Sequence, residues 1–380
     1  MSSPIDIEES QAPFRRAYHL ATTWEDSVLI WGGSNETETL EERTSVVYMH
    51  VSGKWIRKET SGDILKSPHH ASVHVLDNTM YALVQGQCKN GPCRDCDTNP
   101  VYCLDLSTWT WTRFIPSGIP PLKGTKYITS WVYKGKIYGF GGKILDEHQS
   151  CYGYPSYLKV TYGTSNQLFC YNTSRNCWEW PNLGGNIPSP RIGSTTISED
   201  TAFLFGGVTS RKEEQYTDLY ILDMKTFIWK KVHDNITNGV DHMMQVSRIS
   251  KSTAVLSGWK RGSKSFHFWF LDLDSAKQLK KPSDIWTNIS IELKYRPGYV
   301  QVQEPVSQRL WLVGGYDSFK MNNFSVPVVL KISLKPAPLK SIAMECAIHI
   351  SSDDPRLQPG ELPVELRREI EGHKSGTTDR

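Results

Sequence analysis

The sequence predicts an all-β chain built as a six-bladed β-propeller and followed by a short C-terminal pair of α-helices. Three observations carry this. Six strand-forming runs end at Gly-Gly or a close variant; the first and last are 282 residues apart over five intervals, a mean of about 56; and an aromatic pair recurs downstream of most of them. A period of that size marks units that bury a core only by stacking on their neighbours.

The runs are VLIWGG to Gly33, MYALVQG to Gly86, KIYGFGG to Gly142, AFLFGG to Gly207, TAVLSG to Gly258 and LWLVGG to Gly315, four pairs intact and two degenerate. Each run is predominantly apolar and on both faces, as expected of a strand covered on both sides. The glycines supply conformations and close approaches that a side chain would block. Tyr48 and Trp55, Tyr102 and Trp109, Tyr171 and Trp178, and Tyr220 and Phe227 each enclose six residues, and the rings are expected between adjacent blades. The fifth unit, FWFLDLD, lacks the second ring, while Trp111, Trp180 and Trp229 add a third in their units. Turn-rich links such as SGIPPLKG and GGNIPSPRIG join one blade to the next.

The division this implies is a flexible tail over 1–13, the propeller over 14–336, a helical element over 337–371 and a flexible tail over 372–380. With 38% apolar and 11% aromatic residues among 380, and a mean hydropathy of -0.43, the composition is that of a soluble globular protein. No run reaches the roughly 18 apolar residues a membrane helix needs. MSSPIDIEES has neither the basic start nor the apolar core of a secretory signal, so cytoplasm or nucleus is expected. The sequons at Asn35, Asn172, Asn235, Asn288 and Asn323 are then chance, and a net charge of +3 does not suggest a nucleic-acid surface.

Eight cysteines in such a compartment are expected as free thiols or metal ligands. Cys88, Cys93, Cys96 and Cys103 form the one suggestive cluster, but only one pair has the Cys-x2-Cys spacing of a zinc half-site, so a loop with adventitious thiols is the preferred reading and no metal or cofactor is expected. His69 and His70 read as solvent-edge residues. No nucleophile elbow, phosphate loop or paired-carboxylate motif is present, which argues against an enzyme. Rim loops of a propeller grip peptides instead, and Arg16, Lys126, Lys143, Arg191, Arg211 and Lys212 fall where a rim is expected. A long insert, Lys143 to Tyr162, with Tyr152, Tyr154, Tyr157 and Tyr162, is the place to look for specificity.

After KPAP, Ile342, Cys346 and Ile350 share one face of a helix that Ser341 can cap, and Leu362, Leu366 and Ile370 share one face of a second, with Pro363 in its first turn. Helices of about ten residues are marginal alone, so their stripes must be covered, by the propeller or by other proteins.

The repeats over about 14–335 resemble kelch repeats. Ser341-Ile342-x3-Cys346-x3-Ile350 resembles a BC box, the element that binds elongin C, and Leu362-Pro363-x2-Leu366-x3-Ile370 resembles a cullin-2 box. Together with GIPPLKGTKYITSWVYKGKIYGFGG, SPRIGSTT and SLKPAPLKSIAMECAI, this resembles the kelch domain-containing protein 2 group over about 14–371. The resemblance implies a non-enzymatic substrate receptor of a cullin-2 ubiquitin ligase. Its bowl would hold a degron peptide, Ile342, Cys346 and Ile350 would dock on elongin C with elongin B, and Leu362, Pro363, Leu366 and Ile370 would meet cullin-2. Relatives grip a C-terminal carboxylate with arginines and a serine where this chain has Val208, Gln215 and Asp241; Arg211 or Lys212 of the same loop could compensate, so a C-terminal degron and a different degron both stay open. The alternatives are a kelch scaffold unrelated to ubiquitin and a metal-dependent propeller enzyme.

Overall fold

A computed structural model describes residues 5–34, 38–65, 71–83, 99–122, 125–144, 156, 158–161, 163–211, 214–234, 245–259, 265–281, 286–292, 298–305, 309–315 and 328–334. Among them the strands form six sheets of four or five, with a two-stranded ribbon of Val160–Thr161 and Thr164–Ser165. From the inside outward, the first sheet is Leu20–Trp24, Ser27–Trp31, Val46–Val51 and Lys54–Glu59. The second is Ser72–Leu76, Thr79–Leu83, Val101–Asp105 and Thr110–Phe114, with Ser61–Gly62 added in parallel. The third is Thr129–Tyr133, Lys136–Phe140, Leu168–Asn172 and Cys177–Glu179. The fourth is Ile192–Ser198, Thr201–Val208, Gln215–Asp223 and Ile228–His233, with Gly184–Gly185 added. The fifth is Gln245–Arg248, Thr253–Trp259, Ser265–Asp272 and Trp286–Glu292. Val300–Gln303, Leu310–Val313 and Val328–Leu334 begin the sixth. The six innermost strands touch in a closed cycle, each against the next and the sixth against the first. This is the six-bladed propeller that the repeats predict.

Strand alternation explains the stacking. Leu29 and Trp31 point into a cluster with Met80, Leu104 and Trp111 of blade two, whereas Val28 and Ile30 point the other way, to Trp311 and Val313 of blade six. Phe203 and Phe205 likewise face blade five, while Ala202 and Leu204 face blade three. A period of two thus divides one apolar run between two blade interfaces. Polar pairs stitch the inner strands as well: His74 Nε2 to Ser130 Oγ at 2.7 Å, Thr129 to Thr195 hydroxyls at 2.5 Å, and Gln301 Nε2 to Ser247 Oγ at 3.0 Å.

Two expectations are corrected. Residues 1–13 are not simply a tail, because Ile5–Gln11 is the outermost strand of the sixth sheet, beside Val328–Leu334, and Ala12 and Phe14 are buried with Tyr48 and Trp311. Among the described residues the sixth repeat supplies three strands of this sheet, and the edge of its third strand is paired by Ile5–Gln11. The constant aromatic spacing also fails to mark equivalent positions. In the register it is Trp55, Trp111, Trp178 and Trp229 that correspond, opposite His50, Leu104, Tyr171 and Leu222. The outer hairpins of blades two, three and four are two residues longer than that of blade one and are headed by Asp105, Asn172 and Asp223, whose side chains accept backbone N–H groups. In blade three Tyr171 itself lies two residues nearer the turn than Tyr48, Tyr102 and Tyr220 do. In blade five the missing ring is replaced by a helical turn, Leu273–Lys277, capped by Asp272 and burying Leu273 and Ala276 in the interface.

All four intact glycine pairs lie at positive φ. At Gly207, with φ +120°, a Cβ would stand 2.3 Å from the Ile192 carbonyl oxygen, so both conformation and space require glycine. Gly207→Ala is expected to lower the unfolding free energy by about 1–3 kcal/mol or more in urea titrations; an unchanged midpoint would contradict this. His19, buried beneath the sixth glycine pair, is lowered to about 3 by burial and by the Arg16 guanidinium. Unfolded histidine takes its proton near 6.5, so the stability it contributes is complete above that pH and is lost as the pH falls toward 3, by up to about 1.4 kcal/mol per unit. His19→Gln should flatten the acid limb of the stability profile, and a profile identical to that of the unmutated chain would assign the limb elsewhere.

Candidate functional site

The glycine-pair end of the central channel is where blade-entering and blade-crossing segments converge. Its framework is set by two arginines that the sequence placed among possible ligand contacts. Arg191 is 1% exposed. Its Nη1 and Nη2 donate to Asp218 Oδ1 and Oδ2 at 2.5 and 3.2 Å, Nη1 also donates to the Gly206 carbonyl at 3.2 Å and Nε to the Ser189 carbonyl at 3.0 Å, while Tyr216 stacks at 3.9 Å. Arg16, fully buried, donates from Nε to Glu38 at 2.8 Å and from Nη1 to the Gly32 carbonyl at 3.3 Å, over the Tyr48 ring. Each backbone carbonyl in turn accepts from the preceding blade's glycine pair, Gly142 N to Arg191 O at 2.9 Å and Gly315 N to Arg16 O at 3.1 Å. Both guanidinium groups are committed within the chain, and Arg191 is corrected from ligand contact to structural pin.

The remaining candidates divide. Lys126 and Lys143 face each other across a short antiparallel bridge, exchanging backbone hydrogen bonds of 2.6 and 2.7 Å; Lys126 is buried and Lys143 half-buried. Arg211 is exposed in the tight connection between Thr201–Val208 and Gln215–Asp223, where Val208 and Gln215 are register partners. Val208 is buried and apolar and Gln215 is neutral, so this pair offers a carboxylate no charged fork. Lys212, Asp241, His69, His70, Tyr152, Tyr154, Tyr157 and Tyr162 lie outside the described residues, as do Ile342, Cys346, Ile350, Leu362, Pro363, Leu366 and Ile370. At the base of the long insert, Leu158 packs on Leu122 and Ile144.

Two residues here escaped the sequence reading. Tyr18 and Tyr127 are each 42% exposed and each in the left-handed region, φ 52° and 56°. They come from blades that are not adjacent, yet Tyr127 is raised above the usual phenol range by burial and by the nearby Tyr18 hydroxyl. Tyr18 N donates to the Gly298 carbonyl at 2.7 Å and its ring lies over the Gly298 Cα. Aligning Arg16-Ala17-Tyr18 and Thr125-Lys126-Tyr127 with Arg191-Ile192-Gly193 would have exposed them, because a bulky residue where a repeat elsewhere has glycine marks a local purpose. Among the described residues the mouth therefore carries two exposed tyrosine rings, a half-buried and a buried lysine, and one exposed arginine.

Of the four clustered cysteines, Cys103 is a buried strand residue raised to about 12 by burial, a neutral thiol facing Ile137, Phe169 and Tyr171. Cys88, Cys93 and Cys96 lie outside the described residues. Among the described residues no three His, Cys, Asp or Glu side chains come together to hold a metal, and no helix is long and apolar enough to cross a membrane.

Six such blades, stacked through glycine-ended strands and joined at a rim of loops, define a kelch-repeat β-propeller, a protein-interaction domain. The chain belongs to the KLHDC2/KLHL20/DRC7 Kelch-repeats domain family, whose model matches residues 4–143 and 147–328. It is 26% identical over 245 residues to bovine (Bos taurus) Kelch domain-containing protein 2, covering 59% of this chain and 58% of that protein. Against human (Homo sapiens) Kelch domain-containing protein 3 the identity is 25% over 240 residues, 61% and 58% of the two chains. Human Host cell factor 2 is 27% identical over 261 residues, 65% of this chain and 31% of its own. The chain thus spans less than three-fifths of the length of these relatives. The solved structure of YjhT superposes with a TM-score of 0.58 at 15% identity, covering 85% of this chain and 98% of that one, a likeness of fold.

Arg191→Met should leave the Asp218 carboxylate buried without its partner and cost on the order of 3–5 kcal/mol in chemical denaturation. A ligand-contact arginine would instead leave the unfolding midpoint where it was.

Proposed function

We propose that the chain is a non-enzymatic substrate-recognition subunit of a cullin-2 ubiquitin ligase, acting in the cytoplasm or nucleus. The observation that carries the reading is the order of sequence elements: a kelch propeller, then Ser341-Ile342-x3-Cys346-x3-Ile350, then Leu362-Pro363-x2-Leu366-x3-Ile370. A single short box is weak, but two in this order behind a protein-interaction propeller have a joint logic. One end holds a target and the other holds the ligase, so the chain's work is proximity rather than bond making.

In this reading a degron peptide lies in the mouth. Tyr18 and Tyr127 supply flat, amphipathic contact area at little conformational cost, and Lys126, Lys143 and Arg211 favour an acidic peptide or a chain end. With Val208 and Gln215 where related receptors have basic or hydroxyl groups, the target's carboxylate is not held by a bidentate fork, and aromatic contacts carry more of the specificity. In the same reading Ile342, Cys346 and Ile350 meet elongin C, and Leu362, Pro363, Leu366 and Ile370 meet cullin-2.

The test is co-expression of the full chain with elongins B and C and cullin-2. Co-elution is expected, with Ile342→Lys or Cys346→Asp lowering elongin capture at least about tenfold, since a charge in a desolvated contact costs more than about 1.4 kcal/mol, while the thermal midpoint of the propeller stays put. A wild-type chain that fails to capture elongin C, or mutants that capture it unchanged, would overturn the reading. For the mouth, Tyr18→Ala with Tyr127→Ala should remove binding to peptides selected from a library of peptide C-termini without changing elongin capture; retained binding would move the degron site elsewhere.

A further inference from the structure

The repeat allows one cleft to be read against its own copy. At the hairpin end of the ring, opposite the glycine pairs, the inner hairpin of one blade meets the inner and outer hairpins of the next. Between blades three and four this cleft is closed by cations of the chain itself. Lys134 Nζ lies 4.9 Å above the Tyr133 ring and 3.7 Å from Asp200 Oδ1, Lys225 Nζ is 2.5 Å from Asp200 Oδ2, and the Tyr133 hydroxyl donates to Oδ1 at 2.6 Å. The Asp200 carboxyl is lowered to about 2, chiefly by Lys225 and then by Tyr133. An aromatic face and a carboxylate there hold primary ammonium groups.

Between blades one and two the same hairpin positions read differently. Counting from the register pairs Trp24 with Ser27, Leu76 with Thr79, Tyr133 with Lys136 and Ser198 with Thr201, Trp24 takes the place of Tyr133, Glu25 of Lys134 and Asn78 of Asp200. Counting from Asp105 and Asp223, Ser107 takes the place of Lys225. The backbone is conserved through the exchange, since Glu25 and Lys134 share a left-handed φ of 48°. Both lysines are therefore gone, one replaced by an acid. What remains is an open cleft of about 720 Å³ whose lining includes Trp24, Glu25, Asp77, Asn78 and Ser107. Asn78 and Ser107 hydrogen-bond each other, whereas Glu25 and Asp77 are exposed at the rim with no hydrogen bond or ion pair among the described residues. Lys58, the cation on the neighbouring Trp109 at 5.3 Å, is taken up by that ring, which Trp24 meets edge-on at 6.2 Å.

The geometry points to this cleft as a docking site for a lysine side chain presented by a basic segment of a partner protein. The ring of Trp24 covers the methylene stem and faces the ammonium, tryptophan being the strongest of the aromatic faces for a cation. Glu25 and Asp77 supply the countercharge that Asp200 supplies in the copy. Lysine is favoured over arginine because the copy accommodates compact ammonium groups, without the planar fork that a guanidinium needs. The site lies at the other end of the ring from the mouth and does not depend on the ligase reading.

The test uses the full-length protein and a fluorescein-labelled pentalysine peptide, followed by anisotropy at about 50 mM salt, where surface charge is incompletely screened. Saturable binding is expected. Glu25→Lys with Ser107→Lys, which restores the lysines of the copy, should weaken it at least about tenfold, and Glu25→Gln with Asp77→Asn at least about fivefold. Asp234→Lys with Thr226→Lys, an equal change of charge on blade four, should weaken it less than about threefold, the scale of long-range repulsion. Thermal midpoints accompany each variant; should the lysine pair fail to fold, the isosteric Gln/Asn pair carries the test. Absence of saturable binding, equal weakening by the blade-four control, or an unaffected Gln/Asn pair would each overturn the proposal. So would spermidine binding as tightly as the peptide, which would assign the cleft to small polyamines.

Discussion

The buried arginine at the entrance to blades one and four is the interaction on which the mouth depends. Its guanidinium holds the carbonyl of its own blade's glycine pair, and its carbonyl holds the amide of the glycine pair in the blade before. One residue thus fixes an element within a blade and the contact between two blades. The arrangement works because glycine at positive φ lets the backbones meet, and because Asp218 or Glu38 neutralises a charge that burial would otherwise make very costly. In blade three Thr125 stands in that place and its hydroxyl caps the Leu122 carbonyl, so the lock is local there. The mouth is consequently stiff in its arginine-bearing blades, and its exposed chemistry falls to residues that follow, Tyr18 and Tyr127.

That division explains why the mouth's electrostatics differ from a count of its charges. Two of the basic residues seen in the sequence are spent inside the fold. The accessible surface is aromatic first and cationic second. On the proposed reading, such a surface would suit a peptide that offers flat or apolar contacts along with negative charge better than one recognised by its terminal carboxylate alone.

Much of the architecture was legible because the signals were redundant: glycine pairs, apolar runs and a steady period all pointed to stacked four-stranded sheets. What escaped notice depended on partners far away in sequence. Arg191 reads as a rim charge in the polar link Ser189-Pro190-Arg191, and only Asp218, 27 residues on, makes it a buried pin. Ile5 and Ile7 alternate with Asp6 and Glu8, a period-two strand signal that a polar, proline-containing start obscured. Equal spacing of Tyr and Trp suggested equivalence, but hairpins of different length shift the register, which spacing alone does not reveal. The tyrosines at the mouth were hidden because each is a departure from the repeat, and a search for repeats is tuned to agreement.

The outermost strand of the last sheet, Ile5–Gln11, is made more than 300 residues before its neighbour in that sheet, Val328–Leu334. At ordinary elongation rates that is an interval of roughly 15 to 65 seconds in which Ile5–Gln11 has no mate. Closure of the sixth sheet therefore waits for the sixth repeat, and until then its seam stays open. The aspartate and glutamate that alternate with its isoleucines serve the waiting strand as much as the finished one, since charge on an unpaired edge discourages adhesion to other chains.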